Sequence, residues 1–176
     1  MTDAELAGLL REHALLEGDF VLRSGRRSTY YLDKYRFETR PDLLRELGKR
    51  IAERASESAP EAKRLAGPEL GAVALAAAAS LAGSLPFLIV RKEANEYGTE
   101  KRIEGEFASG EEVCLVEDIV TTGGASEQAV EALREAGLVS RTAICVVDRE
   151  EGGADALARK AVRLVPIFRA SELVSA

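Results

Sequence analysis

The segment Val113-Cys114-Leu115-Val116-Glu117-Asp118-Ile119-Val120-Thr121-Thr122-Gly123-Gly124-Ala125 gathers the residue types best suited to chemistry. A β-branched run ends in two adjacent carboxylates, and a short Thr/Gly turn then opens a helix. In open α/β sheets, ligands bind beyond the carboxyl ends of the strands. The turn offers hydroxyls, the unobstructed amides of Gly123 and Gly124, and a helix N-terminus, a set suited to a phosphate monoester. Glu117 and Asp118 would repel that phosphate, so they make sense facing something neutral or cationic, such as vicinal ribose hydroxyls or a magnesium ion. The segment reads as a sugar-phosphate site. It is neither a P-loop, since no lysine follows the glycines, nor a G-x-G-x-x-G dinucleotide turn.

Composition narrows what else could act. The 176 residues include one His, two Cys, one Met and no Trp. A histidine-based zinc site needs more ligands than that, and two cysteines make no disulfide framework. Serine–histidine or cysteine–histidine catalysis would have to run through His13, which lies beside the apolar stripe of a helix and reads as structural. Cys114 and Cys145 sit inside β-branched runs and read as buried small hydrophobes of a reducing cytosol. A net charge of −6 offers no global field for nucleic acid or an anionic membrane. The longest apolar stretch, Ala72 to Ala82, is too short to span a bilayer, and the acidic start Met1-Thr2-Asp3-Ala4-Glu5 lacks a signal peptide's basic region. A cytoplasmic location is expected, with small molecules as partners.

Positioning these groups requires a scaffold, and its elements follow from periodicity. Thr2 caps a helix with Leu6, Leu9 and Leu10 on one face, expected to run to about Gly18. Two short strands, Phe20–Leu22 and Ser28–Leu32, flank the basic turn Arg23-Ser24-Gly25-Arg26-Arg27. Pro41 opens a second helix to about Glu57. Continuous apolar runs then alternate with helical segments: runs at 64–66, 87–90, 113–116, 143–147 and 162–168, helices at 72–82, 125–136 and 154–160. Runs of that kind are buried on both faces, as in a parallel sheet. The expectation is one α/β domain over residues 1–176, doubly wound with a mainly parallel sheet and a small N-terminal hood from about residues 1–40. Residues 93–110 are charged, hold three glycines and have no long apolar run; they are expected to form a mobile loop.

Five motifs in order resemble the orotate phosphoribosyltransferases, a family that uses 5-phosphoribosyl 1-diphosphate. They are the Val113–Ala125 segment; the hood Phe20 to Asp33; Gly67-Pro68-Glu69-Leu70-Gly71; the loop Val90-Arg91-Lys92-Glu93-Ala94 with Tyr97-Gly98-Thr99 and Ile103-Glu104-Gly105; and Val147-Asp148-Arg149. The resemblance spans essentially the whole chain. It implies that Glu117 and Asp118 hold the ribose hydroxyls while Thr121, Thr122, Gly123, Gly124 and Ala125 cradle the 5′-phosphate, with Ile119 and Val120 also binding the diphosphate sugar. Arg91 and Lys92 would meet the diphosphate, and Arg149, Arg23 and Thr121 would face orotate. Magnesium would arrive on the diphosphate with no direct protein ligand, and a homodimer would share the loop across its sites.

Displacement at an anomeric carbon needs positioning and charge stabilisation rather than a nucleophilic side chain, which fits a one-histidine chain. Two positions depart from the pattern: Asn95 and Tyr97 stand where the family usually places a lysine and a histidine. Lys101 is a candidate replacement for the lysine. The departures keep two alternatives open: a phosphoribosyltransferase for another nucleobase, or a weakly catalytic, regulatory binder of the diphosphate sugar.

Overall fold

Thr2 starts the first helix by closing a capping box. Its hydroxyl accepts the Glu5 amide at 3.2 Å while the Glu5 carboxylate accepts the Thr2 amide at 2.7 Å. The computed structural model describes residues 1–21, 25, 27–93 and 101–174. Helix α1 (Asp3–Ala14) buries Leu6, Leu10 and Ala14. It stops short of Gly18 because Leu15 and Leu16 pair with Leu32 and Tyr31, so strand pairing overrides helical periodicity. Strands β1 (Leu15–Val21) and β2 (Arg27–Leu32) form an antiparallel hairpin, the hood, as a sheet of their own. A short helix α2 (Lys34–Glu38), capped by the Asp33 carboxylate, leads into α3 (Pro41–Ser58).

Helix α3 carries Leu43, Leu47, Ile51 and Ala55 on one buried stripe with charged residues opposite. It meets α4 (Gly71–Gly83) at very close range: a β-carbon on Gly48 would stand 2.7 Å from the backbone of Ala78. Small residues on both helices make that approach possible. Truncating Leu47 to Ala at such a site would destabilise by about 2–5 kcal/mol.

The main sheet has the order β5-β4-β3-β6-β7-β8. Its strands are β3 (Arg64–Pro68), β4 (Phe87–Val90), β5 (Ile103–Glu104), β6 (Glu112–Val120), β7 (Val139–Asp148) and β8 (Arg163–Arg169). All pairings are parallel except β4 with β5. Successive β6 residues feed opposite faces: Cys114 and Val116 pack with α3 and α4, whereas Val113 and Leu115 pack with α5 (Gly124–Glu135) and α6 (Gly153–Arg159). Helix α7 (Ala170–Val174) closes the chain on the first face through Leu173.

The sheet is therefore doubly wound and mainly parallel, as the apolar runs imply. Residues 101–110, expected as part of an irregular loop, instead contain β5, whose Ile103 is buried beside Val90. Two residues are too few for periodicity to reveal. Among the described residues no helix is long and apolar enough to cross a membrane.

Chain direction places the site. From β3 the chain moves to β4 on one side, then returns to β6 on the other, so the winding reverses between β3 and β6. A crevice opens at such a switch point, outside the carboxyl ends of the strands.

Candidate active site at the switch point

A cleft of about 580 Å³ lies there, lined by Tyr31, Leu32, Lys34, Asp118, Ile119, Thr121, Thr122, Gly124, Ala125, Gln128, Arg149 and Glu151. The turn after β6 is shaped by glycine. Gly123 takes φ 88°, and a β-carbon on it would come within 3.1 Å of Gly153 and 3.0 Å of Ala156 at the start of α6. Both the left-handed backbone and the close packing exclude a side chain. Helix α5 then begins with no side-chain cap. Its first amides have no intrahelical acceptor, and they open beside the exposed Thr121, Thr122, Gly124 and Ala125. Such an end is an anion site in waiting.

The two acids of β6 go separate ways, because neighbouring strand residues point to opposite faces. Asp118 lines the cleft; its Oδ1 accepts the Ile119 amide and its Oδ2 accepts Lys34 Nζ at 2.6 Å. Burial works against the Lys34 charge, but the bond and attraction to Asp118 outweigh it and hold its pKa above the usual lysine value. Glu117 is 6% exposed, lies outside the cleft lining and accepts Ser126 Oγ of α5 at 2.8 Å. Burial, reinforced by repulsion from Asp118, pushes its pKa up to about 8, so it is largely neutral at pH 7.

Arg149 closes the far wall. Its amide donates to Val120 at 2.8 Å, tying the end of β7 to the end of β6. Its guanidinium pairs with Glu151 at 3.1 Å and lies 4.7 Å from the ring centre of Tyr30 on the hood. Arg91 and Lys92 stand at the end of β4 and are not part of the cleft lining. The Arg91 guanidinium faces Glu104 at 3.7 Å, and the Lys92 amide donates to Glu69 at 2.7 Å. Arg23, Asn95 and Tyr97 lie outside the described residues. Cys114 and Cys145 are buried, and desolvation raises both thiols, Cys114 to about 12, so neither is a nucleophile.

The structure thus brings together Asp118, Ile119, Thr121, Thr122, Gly124, Ala125 and Arg149 from the residues singled out in the sequence. It adds Lys34, Gln128 and Glu151, which sequence reasoning missed. Lys34 sits on a five-residue helix and meets Asp118 across 84 positions, so no local pattern could announce it.

No family model matches the chain. Its relatives decide the question: the orotate phosphoribosyltransferase of Methanocella arvoryzae is 46% identical over 173 residues, covering 98% of this chain and 97% of that one. The chain belongs to the orotate phosphoribosyltransferase family. Solved members of this family share the architecture. The orotate phosphoribosyltransferase of Aeropyrum pernix superposes with a TM-score of 0.86 at 34% identity, over 97% of this chain and 96% of that one. The Mycobacterium tuberculosis orotate phosphoribosyltransferase, in complex with 5-phospho-α-D-ribosyl 1-diphosphate, gives 0.80 at 30% identity over 97% and 98%.

Proposed function

We propose that this chain transfers the phosphoribosyl group of 5-phosphoribosyl 1-diphosphate to orotate, yielding orotidine 5′-monophosphate and diphosphate for pyrimidine synthesis. The observation that carries the reading is the pairing, in one cleft, of an uncapped helix start and a carboxylate on one wall with a guanidinium on the other. Those are the complements of a phosphate, a sugar diol and an aromatic carboxylate.

The amides of Thr121 to Ala125 receive the 5′-phosphate at the start of α5. Asp118 accepts from the ribose hydroxyls, while Glu117, neutral and held by Ser126, backs the same strand end. Arg149 forks the orotate carboxylate, which selects this base over uracil, and Thr121 completes the base site. Attack by the base nitrogen on the anomeric carbon passes through an oxocarbenium-like state. The enzyme therefore acts by alignment and by accommodating the charge that leaves on the diphosphate. Arg91 and Lys92, with the loop that follows them, supply cations to that diphosphate.

Among the described residues no three His, Cys, Asp or Glu side chains converge as a metal cage. An ion of the magnesium class keeps its waters and is held mainly through substrate phosphates, so it would arrive on the diphosphate in the cleft that Asp118 lines. When bound with the diphosphate, magnesium neutralises charge on the leaving group. A homodimer lending its loop between sites, in the cytoplasm, completes the proposal.

The test is orotate depletion with purified protein, with and without magnesium and the diphosphate sugar. Orotidine 5′-monophosphate is expected only when all three are present. Absence of product under those conditions would overturn the assignment.

A further inference from the structure

We infer that Glu38, which takes no part in the scheme above, is a positioning residue that keeps its own proton, donates a hydrogen bond to Asp118 and so fixes the carboxylate facing the sugar hydroxyls. The inference rests on the proposed reaction. Glu38 ends α2, is 5% exposed, and has an Oε1 atom that no hydrogen-bond donor faces. Lys34 Nζ donates to Asp118 Oδ2 at 2.6 Å. The third neighbour is Gly71 at the start of α4: a β-carbon there would collide with Asp118 Oδ2, stand 2.7 Å from Glu38 Oε1 and 3.0 Å from Lys34 Nζ. Two carboxyls and one ammonium thus surround a single point above a glycine.

If both acids were ionised, that pocket would hold a surplus negative charge and an unserved oxygen. One proton between the acids removes both faults. It belongs to Glu38, because Asp118 already accepts two hydrogen bonds while Glu38 Oε1 accepts none.

The groups that bear on Glu38 agree. Lys34 and Asp33 come from its own helix and cap, and Asp118 comes from β6 with Glu117 behind it. Helix α4 contributes no ionisable side chain. On α1 and at the start of α3, Glu12 and His13 pair at 3.9 Å, as do Arg40 and Asp42 at 2.8 Å. Burial and repulsion by Asp118 bring the Glu38 pKa up to about 7. Protonated, the trio is neutral beside an anionic sugar phosphate. Ionised, it sets a second negative charge under the sugar.

The experiment compares wild type, E38Q and E38A by steady-state kinetics from about pH 6 to about pH 9. Wild type is expected to lose affinity for the diphosphate sugar as pH rises, its KM climbing roughly three- to tenfold more than that of E38Q, which cannot ionise. The titration of the substrate's own phosphates is common to both and divides out. The orotate KM is expected to show no such difference. E38A is expected to raise the diphosphate-sugar KM at every pH, with glutamine restoring it. Identical pH profiles for wild type and E38Q would overturn the inference, even if E38A fails to fold. If wild type makes no product, the reaction is wrong; the same wild-type and E38Q comparison is then read from calorimetric binding of the diphosphate sugar.

Discussion

Replacing Gly71 with alanine perturbs the site by one methyl group and nothing else. Gly71 has no left-handed backbone angle, so alanine adds no conformational strain there. What it adds is volume at the point shared by Asp118, Glu38 and Lys34. Glu38 and Lys34 are long and can swing their ends aside, whereas Asp118 is short and pinned by the Ile119 amide, so its carboxylate must be displaced with its strand end. Overpacking of this kind destabilises by about 1–3 kcal/mol, and flexible neighbours put G71A near the lower figure. That predicts a melting temperature lower by roughly 2–4 °C. The functional penalty is larger, because a displacement near 1 Å in a positioning group lowers rate by up to about a hundredfold. G71A is therefore expected to retain its fold by circular dichroism while its kcat/KM for the diphosphate sugar falls roughly ten- to a hundredfold. Wild-type kcat/KM in a folded G71A protein would refute the claim that this trio positions Asp118.

Three other outcomes are expected. S126A removes the donor serving buried Glu117, destabilising by about 1–3 kcal/mol and lowering the melting temperature by roughly 3–10 °C in differential scanning calorimetry. R149A is expected to raise the orotate KM roughly ten- to a hundredfold while leaving the diphosphate-sugar KM within about twofold; an unchanged orotate KM removes the base assignment. Glu38 and Glu117 have folded pKa values of about 7 and about 8, above the 4.5 of an ordinary glutamate. The folded state thus holds protons that the unfolded chain releases above about pH 4.5. Their stabilisation is complete below that pH and is lost as pH climbs through 7 to 8. Between about pH 6 and about pH 9 the melting temperature of E38Q should fall less than that of wild type.

The alternation of apolar runs with helical segments made the doubly wound sheet legible, since strands buried on both faces must be continuously apolar. The uncapped turn proposed to take the phosphate was legible for a related reason: Gly123 and the absence of a capping side chain at α5 are local features. What escaped was long-range. Glu117 and Asp118 are adjacent in sequence and read as a pair, yet the strand's period of two sends one to Ser126 and the other to Lys34. Helix α2 was missed because five residues carry no helical period. With it went Lys34 and Glu38, which matter only through a residue some eighty positions away. Leu15 was read as helix because its pairing with Leu32 is a tertiary fact.

The hood is anchored unevenly. Leu15 and Leu32 at its base join the main hydrophobic core, whereas Val21 toward its tip is 72% exposed and the Asp19–Arg27 pair is solvated. A two-stranded hairpin is marginal by itself in water, and the contact of Tyr30 with Arg149 holds it against the main sheet. The guanidinium proposed to grip orotate is thus also the hood's tether to the main sheet. Base recognition and hood ordering then share one free energy: whatever fixes Arg149 slows local opening of the hairpin, and whatever loosens the hairpin weakens the base.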